Sequence, residues 1–366
     1  MVIIVQTVLI MSAIGGSLAL ILTLANIYIA DYGECKIVIN DDKEFVVDGG
    51  STLLSTLNEQ ELFLPSACGG KGTCGLCTCK ILEGGGPVLP TESPFFTKEE
   101  LEDNMRLSCQ VKVKADMVLS IPEDLLNAKK YEAVVEWIKD ETSTIKLVRF
   151  KITDGQQIEF KAGQYVQLLA PPYPGNPESV FRAYSVASSA ADKDFIELII
   201  GFVEEGLVTT YVHQYLEKGD EVSFNGPFGD FYLRDTDAEI VLIAVGTGIA
   251  PIRSILFQLR DQNIERKTVL FYGARTENDL VCADEMVEFE KTIPNFSFKP
   301  ILSRVGEDSD WDGDRGRVTD SIEKYIENAE NKEAYMCGSP AMIKSALDKL
   351  KQKGFDDEQI FFDEFG

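Results

Sequence analysis

The stretch CGGKGTCGLC, residues 68–77, sets Cys68, Cys74 and Cys77 at C-x5-C-x2-C spacing among four glycines, and Cys109 follows 32 residues later. Three thiolates plus one distant thiolate is an arrangement that holds a [2Fe-2S] cluster. The glycines let the chain wrap tightly and turn backbone N–H groups toward the sulfurs, which bulkier residues would obstruct. A zinc ribbon would instead present two paired C-x2-C knuckles, and Cys109 has no cysteine so placed. Cys79, two residues beyond Cys77, reads as a small buried hydrophobe, and Cys35 and Cys282 carry no signal. Working outward, ECKIVIN and KEFVVDG alternate about Asp41-Asp42, which predicts a hairpin. Ser51 is expected to cap a helix in TLLSTLNEQ, and Thr97 with Glu100 forms a capping-box pattern ahead of a second. Strands, helix, loop and strands over residues 33–126 predict a compact α+β domain.

The whole chain narrows the choice further. Its 366 residues suggest two or three domains. A net charge of -25 would be repelled by polyanions, so no nucleic-acid partner is expected. The single histidine, His213, excludes a Rieske centre or a two-imidazole zinc site built within the chain. Four cysteines crowded into residues 68–79 do not make a secreted disulfide framework and indicate a reducing compartment.

Residues 2–30 contain no charged side chain, and their length exceeds the roughly 20 apolar residues that span a bilayer. They predict a single transmembrane helix rather than a signal peptide, because no Lys or Arg precedes the apolar run. Ser12, Gly15, Gly16 and Ala19 place small residues four apart, which suits close approach of a partner helix in lipid. The flanking Asp31, Glu34 and Lys36 give no positive-inside bias.

Residues 127–234 alternate apolar and polar positions in YEAVVEWI, IKLVRFKI, QYVQLLA, RAYSVAS and FIELIIGFV, predicting an antiparallel barrel. Within it, Gly206 precedes a helix whose first N–H groups could hold a pyrophosphate. From residue 235 to the end, EIVLIAV, TVLFYGA, FSFKPIL, AYMCGSP and QIFFDEF alternate with helical segments, predicting a doubly wound α/β domain. GTGIAP, residues 246–251, joins a strand to a helix and brings glycine backbone toward a pyrophosphate. It departs from the dehydrogenase fingerprint at Ala250 and Pro251. The second strand also ends Tyr272-Gly273-Ala274-Arg275, without the acid that would hold a ribose 2′-OH.

The order of these pieces (cysteine cage, RAYS, GTGIAP, CGSP, terminal FDEFG) resembles the ferredoxin-reductase superfamily fused to a [2Fe-2S] ferredoxin. With the N-terminal helix and the DEFG ending, it is similar over essentially the whole chain to the family of F subunits of sodium-translocating NADH:quinone oxidoreductases. The resemblance implies a β-grasp fold for residues 33–126, and FAD and NADH beside the cluster. It assigns Arg182 to the FAD phosphates, Tyr184 to the isoalloxazine, Ser185 to flavin N5, and Gly206, Val208 and Thr209 to the FAD pyrophosphate. It assigns Gly246, Thr247 and Gly248 to the NADH pyrophosphate, Cys337 and Gly338 to the nicotinamide, and Phe365 to the flavin ring. Ser185, Cys337 and Phe365 would then surround the hydride transfer. The implied activity passes electrons from NADH through FAD and the cluster to partner membrane subunits and finally quinone, coupled to Na+ movement. The implied location is the bacterial inner membrane, with the cofactor domains cytoplasmic.

Two features depart from the family pattern: PPYPGNPESVF before Arg182 is short, and Ser303-Arg304 places a cation where an NADPH-dependent relative could hold a 2′-phosphate. The residues favour NADH. Two other readings use the same modules: a reductase serving a monooxygenase, and a membrane-tethered carrier without an NADH site. RAYS, GTGIAP and CGSP together argue against the carrier.

Overall fold

A computed structural model describes residues 2–29, 32–122, 125–306 and 309–365, and the chain divides into two units at Asn127/Ala128. The uncharged N-terminal run forms helix α1 (Val2–Ile29). Its apolar side chains from Leu9 to Ile21 lie exposed. Among the described residues no helix is long and apolar enough to cross a membrane. The segment expected to span is therefore helical over residues 2–29, without being established as a span; Ala30 lies outside the described residues.

The first unit is built on five strands: β1 (Glu34–Ile39), β2 (Lys43–Asp48), β3 (Thr78–Glu83), β4 (Met105–Leu107) and β5 (Met117–Ser120). They lie in the order β2-β1-β5-β3-β4. β1 and β2 form the expected hairpin, with Glu34 opposite Asp48 and Ile39 opposite Lys43. Helix α2 (Leu53–Glu59) packs Leu53 and Leu57 into one core with Ile37, Ile39, Leu107 and Leu119. Its cap is Thr52, not Ser51. Thr52 has the extended backbone an N-cap requires, and its hydroxyl accepts from the Ser55 N–H at 3.2 Å. Thr97 and Glu100 form both arms of the capping box of α3 (Lys98–Glu102).

The second unit begins with six antiparallel strands: β6 (Lys129–Asp140), β7 (Ile145–Ile152), β8 (Tyr165–Ala170), β9 (Val180–Ser185), β10 (Phe195–Gly201) and β11 (Glu221–Phe228). Their order is β10-β7-β6-β11-β8-β9, and a bridge between Val186 and Leu198 brings the two edges together as a barrel. Helix α4 (Leu207–Gln214) closes one side, burying Val208, Tyr211 and Val212 in the barrel core.

The parallel sheet follows, with strands β12 (Glu239–Val245), β13 (Thr268–Ala274), β14 (Phe296–Leu302), β15 (Asp314–Arg315), β16 (Lys332–Gly338) and β17 (Ile360–Glu364). The order β15-β14-β13-β12-β16-β17 reverses direction between β12 and β16, the switch point at which open α/β sheets form a crevice. Helices α5 (Ile249–Asp261), α6 (Ala283–Thr292), α7 (Asp320–Tyr325) and α8 (Pro340–Gln352) pack on its two faces around two apolar clusters. Because the strands are buried on both sides, they read as continuous apolar runs rather than alternating ones.

Barrel and sheet are joined by buried charge. Arg253 on α5 donates to Glu197 of β10 at 2.6 Å and to the Ala187 carbonyl at 2.7 Å, while its other edge pairs with Glu285. Arg149 holds the second oxygen of Glu197 at 2.5 Å. Ser254 adds a bond to the Ser188 carbonyl at 2.7 Å. A buried carboxylate gripped by two guanidinium groups is fully compensated, so it fixes the seam geometrically as well as energetically.

Candidate functional site

The four expected ligand cysteines come together as two pairs. Cys74 and Cys68 sulfurs stand 3.4 Å apart, and Cys77 and Cys109 are hydrogen-bonded to each other. In each pair the acceptor thiol is driven down, Cys68 to about 3 and Cys109 to about 7, chiefly by the bond from its partner. The donors Cys74 and Cys77 are raised by the same contacts. Backbone N–H groups of Thr73 and Cys74 approach Cys68, and that of Gly72 approaches Cys109. Among the described residues no three metal-binding side chains converge on one ion position. Two thiolate pairs are what two irons need, whereas a zinc tetrahedron needs all four on one centre. The donor set therefore fits a [2Fe-2S] cluster. Cys79 is buried, and desolvation pushes its thiol up to about 12, as expected of an inert core cysteine.

On β9, Arg182 is half-buried; it donates to the Phe181 carbonyl at 2.7 Å, and among the described residues no carboxylate pairs with it. Such a cation suits phosphate. Burial raises the Tyr184 phenol, so that ring stays neutral. Ser185 is 4% exposed, and among the described residues its hydroxyl has no hydrogen-bond partner. An orphaned buried hydroxyl costs free energy, and it fits a site completed by a bound polar group.

Gly206 caps α4, whose first N–H groups have no intrahelical partner. The Thr209 hydroxyl, by contrast, is occupied. It meets the Val203 and Gly206 carbonyls at 3.1 and 3.2 Å and accepts from the Val203 N–H at 3.3 Å. The Val208 side chain lies in the barrel core. Only the main chain of these two residues remains for a ligand. The short loop before Arg182 is closed by paired bonds between Tyr173 and Asn176, both 2.9 Å, and the Tyr173 hydroxyl donates to the Leu207 carbonyl at 2.8 Å.

A cleft of about 370 Å³ opens at the switch point, lined by Thr144 and Ile145 of the barrel and by the C-terminal ends of β12, β13 and β14. Of the GTG triplet only Gly246 lines it. Gly246 has φ +55°, and its carbonyl accepts from the buried Tyr272 hydroxyl at 3.0 Å. Thr247 turns its methyl toward Gly201 of the barrel. Gly248 is required by packing, because a Cβ there would stand 2.2 Å from the Cys337 carbonyl oxygen. Cys337 is fully buried and Gly338 is wedged against Val245 and Met342; neither lines the cleft. Strand β17 runs beside β16, so Asp363 opposes Cys337 and the Phe365 N–H donates to the Gly338 carbonyl at 2.9 Å. Desolvation raises the Cys337 thiol, and the Asp363 carboxylate adds to the effect.

Ser303 lines the cleft but Arg304 does not; the Arg304 N–H donates to the Arg275 carbonyl at 2.8 Å. The arginines at the wall are Arg275, paired with Asp279 at 3.0 Å, and Arg317. Sequence reading missed Thr144, Arg317, Ser339 and Ser345 as lining residues. Ser339 had a signal, since CGSP puts Ser at a helix N-cap with Pro at N1. Arg317 lies in a loop without one.

Three domain families match in series: the 2Fe-2S iron-sulfur cluster binding domain over residues 37–114, the oxidoreductase FAD-binding domain over 132–232, and the oxidoreductase NAD-binding domain over 242–348. The chain thus carries domains for the cluster, FAD and NAD. It is 35% identical over 390 residues to the F subunit of Na(+)-translocating NADH-quinone reductase from Neisseria gonorrhoeae, covering 96% of each chain. A protein of the same name from Psychrobacter cryohalolentis is 35% identical over 394 residues, covering 96% of this chain and 95% of the relative. Among solved structures, a cytochrome P450 reductase from Amycolatopsis is similar with TM-score 0.74 and 26% identity, over 90% of this chain and 98% of the other. A ferredoxin reductase in carbazole 1,9a-dioxygenase shares the fold with TM-score 0.69 and 23% identity, over 91% and 98%.

Proposed function

The chain belongs to the family of F subunits of Na(+)-translocating NADH-quinone reductase, and from that membership we propose that it is the NADH-oxidising component of a membrane redox complex that delivers electrons to quinone. The observation that carries the reading is the series of sites in one chain: a nucleotide cleft at the switch point, an orphaned buried Ser185 hydroxyl on the barrel, and two thiol pairs. When bound, FAD accepts hydride from NADH and releases electrons singly to the [2Fe-2S] cluster.

The chain's own residues bind and orient. Arg182 and the start of α4 would hold the FAD phosphates, and Tyr184 and the Ser185 hydroxyl would hold its ring system. Gly246, at the cleft wall, would admit the NADH pyrophosphate. Phe365, tethered through its N–H to the Gly338 carbonyl, would cover the flavin ring, with the buried Cys337 behind. NADH is the donor in this reading on the strength of the family membership; Arg304 stands outside the cleft, while Arg275, paired with Asp279, and Arg317 stand at its wall. The domains responsible are residues 33–126, 127–234 and 235–366.

Helix α1 is the anchor in this reading. The reading rests on the run of residues 2–30 without a charged side chain and on the family membership. The thiolates and the NADH site then face the cytoplasm of a bacterial inner membrane, and any sodium path lies in partner subunits, since one helix makes no pore. The monooxygenase-reductase reading draws on likeness of fold alone and gives α1 no task.

An anaerobic NADH titration of the purified full chain tests the core of this. NADH should bleach the flavin and then produce the electron paramagnetic resonance signal of a reduced cluster. Deleting residues 1–30 should keep that behaviour with a soluble acceptor and abolish quinone-linked activity in membranes. A truncated protein that retained full membrane activity would overturn the anchor.

A further inference from the structure

The loop from Gly84 to Glu92 takes no part in the electron route above, yet a buried arginine and a buried glutamate hold it at several points. Arg106 on β4 is buried and sends Nη1 to the carbonyls of Gly85 and Gly86 at 2.8 and 3.0 Å. Its Nη2 reaches the Pro87 carbonyl at 3.0 Å. The same guanidinium forms a two-pronged pair with the fully buried Glu92, at 3.0 and 2.7 Å. Glu92 also accepts from the N–H groups of Leu89 and Leu107 at 2.9 and 3.1 Å.

This network fixes Thr91, the neighbour of Glu92. The Thr91 hydroxyl donates to Gln110 Oε1 at 2.9 Å. With its oxygen held there, the carboxamide must turn its NH2 the other way, and Gln110 Nε2 lies 3.6 Å from Cys109 Sγ. The amide crosses the glycine loop at Gly72, where a Cβ would stand 2.5 Å from Nε2. Gly72 therefore makes room for the Gln110 amide as well as for a tight turn.

We propose that Gln110 donates a hydrogen bond to the Cys109 thiolate of the cluster and thereby sets its reduction potential, and that Thr91, held by the Glu92–Arg106 pair, positions it. Reduction adds one electron to the cluster and makes its thiolates more negative, with no bond formed or broken. A donor aimed at a ligand sulfur is worth more in the reduced state, so it raises the potential. The inference rests on the assignment of the cluster to Cys68, Cys74, Cys77 and Cys109.

A spectroelectrochemical titration of the full chain tests it. Gln110→Leu should lower the ratio of reduced to oxidised cluster at a fixed potential by up to about tenfold, about 59 mV for one electron. Thr91→Val should shift it in the same direction by less, and Thr91→Ser should restore the wild-type midpoint. Flavin reduction by NADH should proceed at the wild-type rate in all three. Equal midpoints for wild type and Gln110→Leu would overturn the role of Gln110. A shift in Gln110→Leu with none in Thr91→Val would overturn the role of Thr91. Should Gln110→Leu fail to load its cluster, the Thr91 pair decides, and identical midpoints for Thr91→Val and Thr91→Ser refute the proposal. A wild-type chain without iron and sulfide would instead refute the cluster assignment on which it rests.

Discussion

The thiol cage and the nucleotide cleft both surround a guest with polar groups, and they do it in opposite ways. The cage takes three of its four cysteines from ten consecutive residues, with only Cys109 arriving from elsewhere. The cleft draws on segments from Thr144 to Ser345 and exists only because the barrel, three strand ends and the start of α8 meet at one place. A local site depends on what its loop can wrap around. A distributed site depends on packing that lies behind its walls, at residues such as Gly248 and Cys337 that never face the guest.

The sharpest way to break this contrast is to remove one cage ligand. Cys68→Ser should abolish the reduced-cluster resonance while NADH still bleaches the flavin. An unchanged resonance would remove Cys68 from the ligand set, and loss of flavin as well would show that the two sites are not independent.

Next in size is the charge behind the cage. Arg106→Met leaves the fully buried Glu92 without its partner, and breaking a buried pair costs about 3–5 kcal/mol. Denaturant unfolding followed by cluster absorbance should show this loss, with the NADH site intact. Adding Glu92→Leu should recover part of it, because the uncompensated charge is then gone. Burial raises the Glu92 carboxyl, but the bonds from Arg106, Leu89 and Leu107 outweigh it and hold it below the usual carboxylate range.

A methyl group behind the cleft tests the distributed site. Gly248→Ala places a Cβ against the Cys337 carbonyl, so β16 and the turn must part, at a cost of about 1–3 kcal/mol. The apparent KM for NADH should rise while the cluster midpoint stays put. A normal KM would mean that the cleft tolerates movement of its rear wall.

The smallest effect concerns pH. Desolvation, helped by the neighbouring Glu364, raises the Asp363 carboxyl to about 6. The groups beside it are Glu364 and the buried Cys337 thiol. Because the folded pKa lies above the unfolded value of about 3.9, the protonated acid favours the fold. That contribution is complete below about pH 4 and is lost as pH rises through 6. Asp363→Asn should therefore flatten the fall in thermal stability between pH 4 and pH 7, and an unchanged profile would refute the raised carboxyl.

Much of this was legible in the residues. Period-two alternation marked the barrel strands, strand segments alternating with helical ones marked the parallel sheet, and the matched pairs IKLVRFKI with β7, EIVLIAV with β12 and TVLFYGA with β13 agree to the residue. Helix ends were less legible: Ser51 and Thr52 both have capping side chains, and the backbone conformation that chooses between them is set by how α2 meets the sheet. At the cleft, the motif GTGIAP suggested one role for Gly246, Thr247 and Gly248 alike. The structure gives Gly246 to the cleft, Thr247 to the barrel seam and Gly248 to packing.

By itself the sequence determined the spacing of the clustered cysteines, the three modules in series and the uncharged N-terminal helix, because spacing, periodicity and composition act over a few residues and need no distant partner. Only the tertiary structure decided that the thiols stand as two pairs, that Glu197 is shared by Arg149 and Arg253, that Gln110 reaches Cys109 under the hand of Thr91, and that Arg304 lies outside the cleft. Each of these is a contact between side chains brought together by sheet order and register, and the energy of such a contact depends on a geometry that no local pattern of residues encodes.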